Sequence, residues 1–91
     1  MILARIVGTV VATRKDPKLV SSKLLVAHVM DPKGPASGHH LVAVDTVDAG
    51  VGDRVLIVSG SSARMAAGLK DCPVDAAIVG IVDAVDITAG D

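Results

Sequence analysis

The chain has 91 residues, 51% of them apolar, with no Phe, Tyr or Trp and a formal charge of −1. That apolar content excludes a disordered chain, and the longest apolar stretch, Ala76 to Val82, falls far short of the roughly 20 residues a bilayer span needs. Without rings to stack on bases and without a positive field, neither nucleic acid nor a membrane is an expected partner.

The length fits one domain, residues 1–91. Met1-Ile2-Leu3-Ala4-Arg5 lacks the basic region that opens a signal peptide, so no secretory leader is expected. The single cysteine, Cys72, rules out an intrachain disulfide and is compatible with a reducing compartment. A domain this small buries only about 60–65% of its unfolded surface. Aromatic rings usually supply much of such a core, and here Val, Ile, Leu and Ala must do so alone. Small scaffolds in that position lean on disulfides, a metal or oligomerisation. Oligomerisation is the expectation that remains.

Valine-rich runs bounded by Gly, Pro, Asp and Ser predict five strands. The first spans about Leu3 to Thr13, with Ala4, Ile6, Gly8, Val10 and Ala12 facing the core. Asp16-Pro17 starts a turn. The second strand spans about Lys23 to Met30 and is apolar on both faces. A Pro/Gly loop, Asp31 to Gly38, leads to a third strand over about Leu41 to Asp45. The turn Ala49-Gly50-Val51-Gly52-Asp53 precedes a fourth, about Arg54 to Ser59. Gly60 to Gly68 reads as a short helix with a serine N-cap and a glycine stop. Leu69 to Asp75 is loop, and the fifth strand spans about Ala76 to Ile87. In that strand Ala77, Val79 and Ile81 point one way, and Ala76, Ile78 and Val82 the other. Five strands and one short helix between strands four and five predict an all-β, OB-like Greek-key barrel. One short helix cannot cover every apolar second face, so subunit contacts are expected there.

The candidates for chemistry are thin. His39-His40 and His28 match no zinc-ligand spacing, so His39 and His40 read as solvated residues at a loop edge. Cys72 sits beside Asp71, whose charge opposes thiolate formation. Asp45, Asp48 and Asp53 flank one turn, while Asp75, Asp83, Asp86 and Asp91 lie later. Turn and strand-end capping is the favoured role, above all for Asp53 and Asp75. Gly60-Ser61-Ser62-Ala63-Arg64 opens a helix, where free N–H groups could hold an anion with Arg64 assisting. It is neither a Walker loop nor a nucleophile elbow, and a glycine-rich helix cap is the favoured reading. No catalytic, metal or cofactor site is expected, and the chain does not read as an enzyme.

Several segments, in order, resemble one family. They are Gly8-Thr9-Val10-Val11-Ala12-Thr13; Lys23-Leu24-Leu25-Val26; Val42-Ala43-Val44-Asp45 with Ala49-Gly50-Val51-Gly52-Asp53; Gly60-Ser61-Ser62-Ala63-Arg64; and Pro73-Val74-Asp75-Ala76-Ala77-Ile78-Val79-Gly80-Ile81-Val82-Asp83. They resemble the EutN/CcmL family, the vertex proteins of carboxysomes, ethanolamine-utilisation compartments and other bacterial microcompartments. The resemblance implies an OB-like barrel that assembles as a cyclic pentamer. It implies a cytoplasmic shell in which the pentamers cap five-fold vertices among hexameric and pseudohexameric shell proteins, without cofactors or catalytic residues. It further places Gly60, Ser61, Ser62, Ala63 and Arg64 at a subunit junction near the central axis or its pore. Strand five, with Ala77, Ile78, Val79, Ile81 and Val82, would join neighbouring subunits. Two departures stand out. Asp48 occupies a turn position where the family usually has glycine, which adds charge to a surface near neighbouring tiles. Val20-Ser21-Ser22 lacks a glycine common there.

A structural shell component is therefore the leading reading. Its competitors are an OB-type module binding nucleic acid or oligosaccharide, and a small enzyme using Cys72, Ser61 or Ser62. The missing rings oppose the first, and the lack of a general base at a recognisable spacing opposes the second.

Overall fold

The computed structural model describes residues 1–11, 23–30, 36–66, 75–86 and 88. Its strands are β1 (Ile2–Thr9), β2 (Leu24–Met30), β3 (Ala36–Asp45), β4 (Arg54–Ser59) and β5 (Ala76–Ile81), with one helix, α1 (Ser61–Ala66), between β4 and β5. The strands close into a barrel in the order β1-β2-β3-β5-β4. β3 and β5 run parallel, and every other neighbouring pair is antiparallel. Among the described residues no helix is long and apolar enough to cross a membrane.

The interior follows from strand alternation. Ala4 and Ile6, Leu25 and Ala27, Ala43, Val55 and Ile57, and Ala76 and Ile78 point inward and form one buried cluster with Ala49. Barrel diameter grows with strand number, so a five-stranded interior is narrow. It is filled by alanines beside a few large aliphatic side chains: Ile6, Leu25, Ile57, Ile78 and Val55. The described interior is thus packed by aliphatic side chains alone, in keeping with the aromatic-free composition.

Several strand boundaries differ from the sequence expectation. β1 ends at Thr9 instead of Thr13. One further bond, from the Val10 N–H to the Leu24 carbonyl at 2.9 Å, continues the ladder before it stops, and Ala12 and Thr13 lie outside the described residues, as do Val20, Ser21 and Ser22. β3 starts at Ala36, inside the expected Pro/Gly loop, because the β2 ladder continues as far as Met30↔Ala36. Cross-strand hydrogen bonding overrides the poor strand propensity of Ser and Gly there. β5 ends at Ile81 instead of Ile87, with one further bond to β4, from the Val82 N–H to the Arg54 carbonyl at 2.8 Å, before the pairing stops.

The faces of β5 also differ. The β4–β5 register shifts between Leu56 and Ile57, so Gly80 pairs with Leu56, Ile78 pairs with Ile57, and Val79 is the extra residue. Ile81 consequently pairs with the inward Val55 and does not share a face with Ala77. Outside the barrel, Ala63 of α1 packs with Val44 and Ala77, flanked by Leu24 and Val58. The helix thus covers part of the second face. Val7, Val42 and Ile81 remain 44%, 48% and 44% exposed.

Candidate functional site

The glycine-rich segment sits where β4 passes into α1. Gly60 has φ +67°, in the left-handed region where a side chain is strained. Its N–H donates to the Asp75 carbonyl at 2.9 Å, tying the end of β4 to the start of β5. Its carbonyl accepts the Ala63 N–H at 3.1 Å. Gly60 therefore takes the capping place expected of a serine, and Ser61 is already helical. Ala63 is fully buried, while Ser62 and Met65 are exposed. The side chains of Ser61 and Arg64 lie outside the described residues, as do Gly68, Asp71, Cys72 and Pro73. With six residues, α1 aligns few peptide dipoles for an anion.

A Cβ at Gly60 would meet nothing within 4 Å, so its cost is purely conformational. Gly60→Ala should lower stability by about 1 kcal/mol, read as a lower urea midpoint at unchanged slope.

On β5, Ala77 and Ile78 are fully buried within the chain itself. Val79, Ile81 and Val82 keep part of their surface open and are the apolar side chains of this segment still available for contact. β5 joins β3 through only Val44↔Ala77 and Asp45↔Ile78. The Thr46 N–H and hydroxyl both donate to the Ile78 carbonyl, at 3.3 and 2.6 Å, and reinforce this seam.

The turn after β3 is organised by Asp45. Its carboxylate accepts the N–H of Val47 at 3.0 Å and of Ala49 at 2.9 Å, and the side chain is 1% exposed. Asp53 acts as expected of a turn carboxylate, accepting the Gly50 N–H at 2.8 Å. Lys23 reaches in from the start of β2, donating to the Ala49 carbonyl at 2.8 Å and lying 3.4 Å from Asp45 and 3.3 Å from Asp48. Desolvation draws the Lys23 ammonium down, but hydrogen bonds to Asp48 and Asp45 and their charges outweigh it, holding the group above the ordinary lysine value. Asp48 has φ 58°, in the left-handed region that glycine enters without cost. Aspartate is among the residues that tolerate this conformation best.

The histidines are placed differently from the expectation. His39 and His40 lie within β3, not at a loop edge, though both are exposed. His40 stacks on His28 across the β2–β3 ladder, ring centroids 4.3 Å apart. Nothing in the spacing of these residues marks the pair, which only the hairpin register creates. Among the described residues no group of three or more metal-ligating side chains converges.

The arrangement offers contact surface: partly open β5 side chains beside a glycine-capped helix on the outside of a closed barrel. The model of the family described as "Ethanolamine utilisation protein EutN/carboxysome" matches residues 1–83. The carboxysome shell vertex protein CcmL of Synechocystis sp. is 44% identical over 90 residues, covering 99% of this chain and 90% of that protein. The bacterial microcompartment shell vertex protein EutN of Escherichia coli K12 is 45% identical over 85 residues, covering 93% and 90%. Among solved structures, the GrpN pentameric microcompartment shell protein from Rhodospirillum rubrum superposes with a TM-score of 0.88 at 43% identity, covering 97% of this chain and all of that one. The family match over residues 1–83 and the similarity to these relatives over nearly the full length agree: the chain belongs to the EutN/CcmL family.

Proposed function

We propose that this protein is a structural component of a bacterial microcompartment shell, forming pentamers that cap the five-fold vertices. The observation that carries the reading is the near full-length match, at TM-score 0.88, to a relative solved as a pentameric shell protein. The exposed apolar side chains Val7, Val42 and Ile81 fit it, since one heterologous contact repeated around an axis closes a ring. In this reading the protein is a building block, not an enzyme, and it works in the cytoplasm beside hexameric shell proteins. The Gly60–Arg64 segment lies at the subunit junction, and Val79, Ile81 and Val82 extend the ring contact from β5.

Native mass spectrometry tests the assembly. Five copies of 9.2 kDa give a closed ring of about 46 kDa, whereas a monomer at all concentrations overturns the reading and a hexamer removes the vertex role. Ile81→Asp places a charge on the proposed contact and should weaken ring association about tenfold or more, measured by dilution in analytical ultracentrifugation. Ile81 is half-exposed within the chain, so the monomer fold should survive. Co-expression with a hexameric shell protein, followed by electron microscopy for closed polyhedra, tests the vertex role.

A further inference from the structure

The rings of His28 on β2 and His40 on β3 lie face to face on the outside of the barrel, with centroids 4.3 Å apart and planes 13° from parallel. Both point outward, since Ala27 and Leu41, their neighbours along the strands, belong to or pack against the inner cluster. The two residues are direct cross-strand partners and form the last regular rung of this ladder. Beyond them the register shifts, and the next pair is Met30 with Ala36. The stack therefore holds the hairpin together where its backbone pairing turns irregular.

Among the described residues no counter-charge lies against the pair. β1 contributes Arg5, the one charged residue of that strand, directly opposite His28. The Arg5 guanidinium donates to the Gly52 carbonyl at 2.8 Å, a backbone oxygen that leaves its charge in place. Arg54 on β4 stands opposite Arg5 and adds a like charge. β3 contributes His39, which is exposed, and Asp45 at its far end, where the carboxylate serves the Val47 and Ala49 N–H groups and Lys23. The His28 Nε2 is buried and has no hydrogen-bond partner among the described residues.

Two protons therefore meet different surroundings. His40 is exposed and can carry the first, because the face of a neutral ring attracts a cation. A second proton, on His28, sets two cations face to face beside Arg5. It also demands an N–H on the buried Nε2, where no acceptor lies. Separating the rings gives that N–H to water and parts the charges. We propose that the His28–His40 stack is an acid-sensitive latch, closing the end of the β2–β3 hairpin until the second proton opens it. The open form accepts both protons freely and the closed form does not. Opening is therefore favoured as the pH falls through the range where free histidine ionises, near about 6.5.

Hydrogen exchange read by mass spectrometry on the assembled protein tests the latch, at about pH 7.5 and about pH 5 and corrected for intrinsic rates. Ordinary carboxylates stay mostly ionised across this window. Protection of peptides containing Met30 or His39 should fall severalfold in acid, while β4 keeps its protection. His28→Gln and His40→Gln should each abolish the acid response, Arg5→Gln should shrink it, and His39→Gln should leave it intact. Nuclear magnetic resonance of histidine-labelled wild-type protein needs no variant: His28 and His40 should titrate in two coupled steps and His39 in one. Hairpin opening at unchanged native mass supports the proposal. Protection indifferent to pH, an equal loss in β4, a response that survives both histidine variants, independent single-step titration of all three rings, or opening only when the assembly dissociates overturns it.

Discussion

Asp45→Ala should destabilise the fold by about 2–6 kcal/mol, because the Val47 and Ala49 N–H groups lose their acceptor and each unsatisfied donor costs about 1–3 kcal/mol. Ala49 is fully buried in the core, so its N–H has little recourse to water. On a domain of ordinary stability, about 5–15 kcal/mol, this is a large fraction. Asp45→Asn keeps one acceptor oxygen and should lose roughly half as much. Removing Lys23 should matter less, since its side chain is 46% exposed, one of its two carboxylate partners, Asp48, is 97% exposed, and the other, Asp45, keeps both of its N–H donors. With no aromatic residue to fluoresce, urea unfolding must be followed by far-ultraviolet circular dichroism. Protein concentration must be held fixed, because assembly adds to apparent stability. An unchanged midpoint for Asp45→Ala would show that the turn does not depend on this carboxylate.

The second large effect is expected at the strand partner of Asp45. Ile78 is fully buried and is one of the few large side chains of the interior. Ile78→Ala should cost about 2–5 kcal/mol, and Ile78→Val about 1 kcal/mol. The upper half of the first range is favoured by what surrounds the residue. The alanines at 4, 27, 43, 49 and 76 have no reach to fill a void, and the closed barrel limits how far its walls collapse. Because Ile78 and Asp45 share the β3–β5 seam, the double variant should lose less than the sum of the singles.

Local pattern revealed some of this architecture and hid the rest. β4 is delimited by Asp53 and Gly60, so its bounds, Arg54–Ser59, are readable from the residues. Ala4 and Ile6 face inward as alternation requires. The start of β3 is concealed because Ser37 and Gly38 look like loop until their ladder to β2 is known. The register shift at Val79 leaves no trace in a run of apolar residues, and it reassigns the face of Ile81. In the candidate site, Gly60 to Arg64 stands out in the sequence, but which residue caps the helix depends on a backbone dihedral. The burial of Ala63 depends on Val44 and Ala77, distant in sequence. Asp45 is visible only as one of several turn carboxylates. The usable signal was local: an aspartate ahead of a Gly-containing turn commonly accepts N–H groups two and more residues on.

The order in which the barrel closes has a consequence for its biosynthesis. β5 lies between β3 and β4 in the barrel yet follows both in the chain. While a ribosome has delivered only the first four strands, β3 and β4 each keep an edge of unpaired N–H and C=O groups, the kind of edge that invites pairing with other chains. The first three strands can zip sequentially as neighbours, β1 to β2 and β2 to β3. Joining Val44 to Ala77 instead requires a loop of more than thirty residues to close first. The barrel therefore cannot be completed until β5 has emerged from the ribosome, and subunit association should follow that emergence.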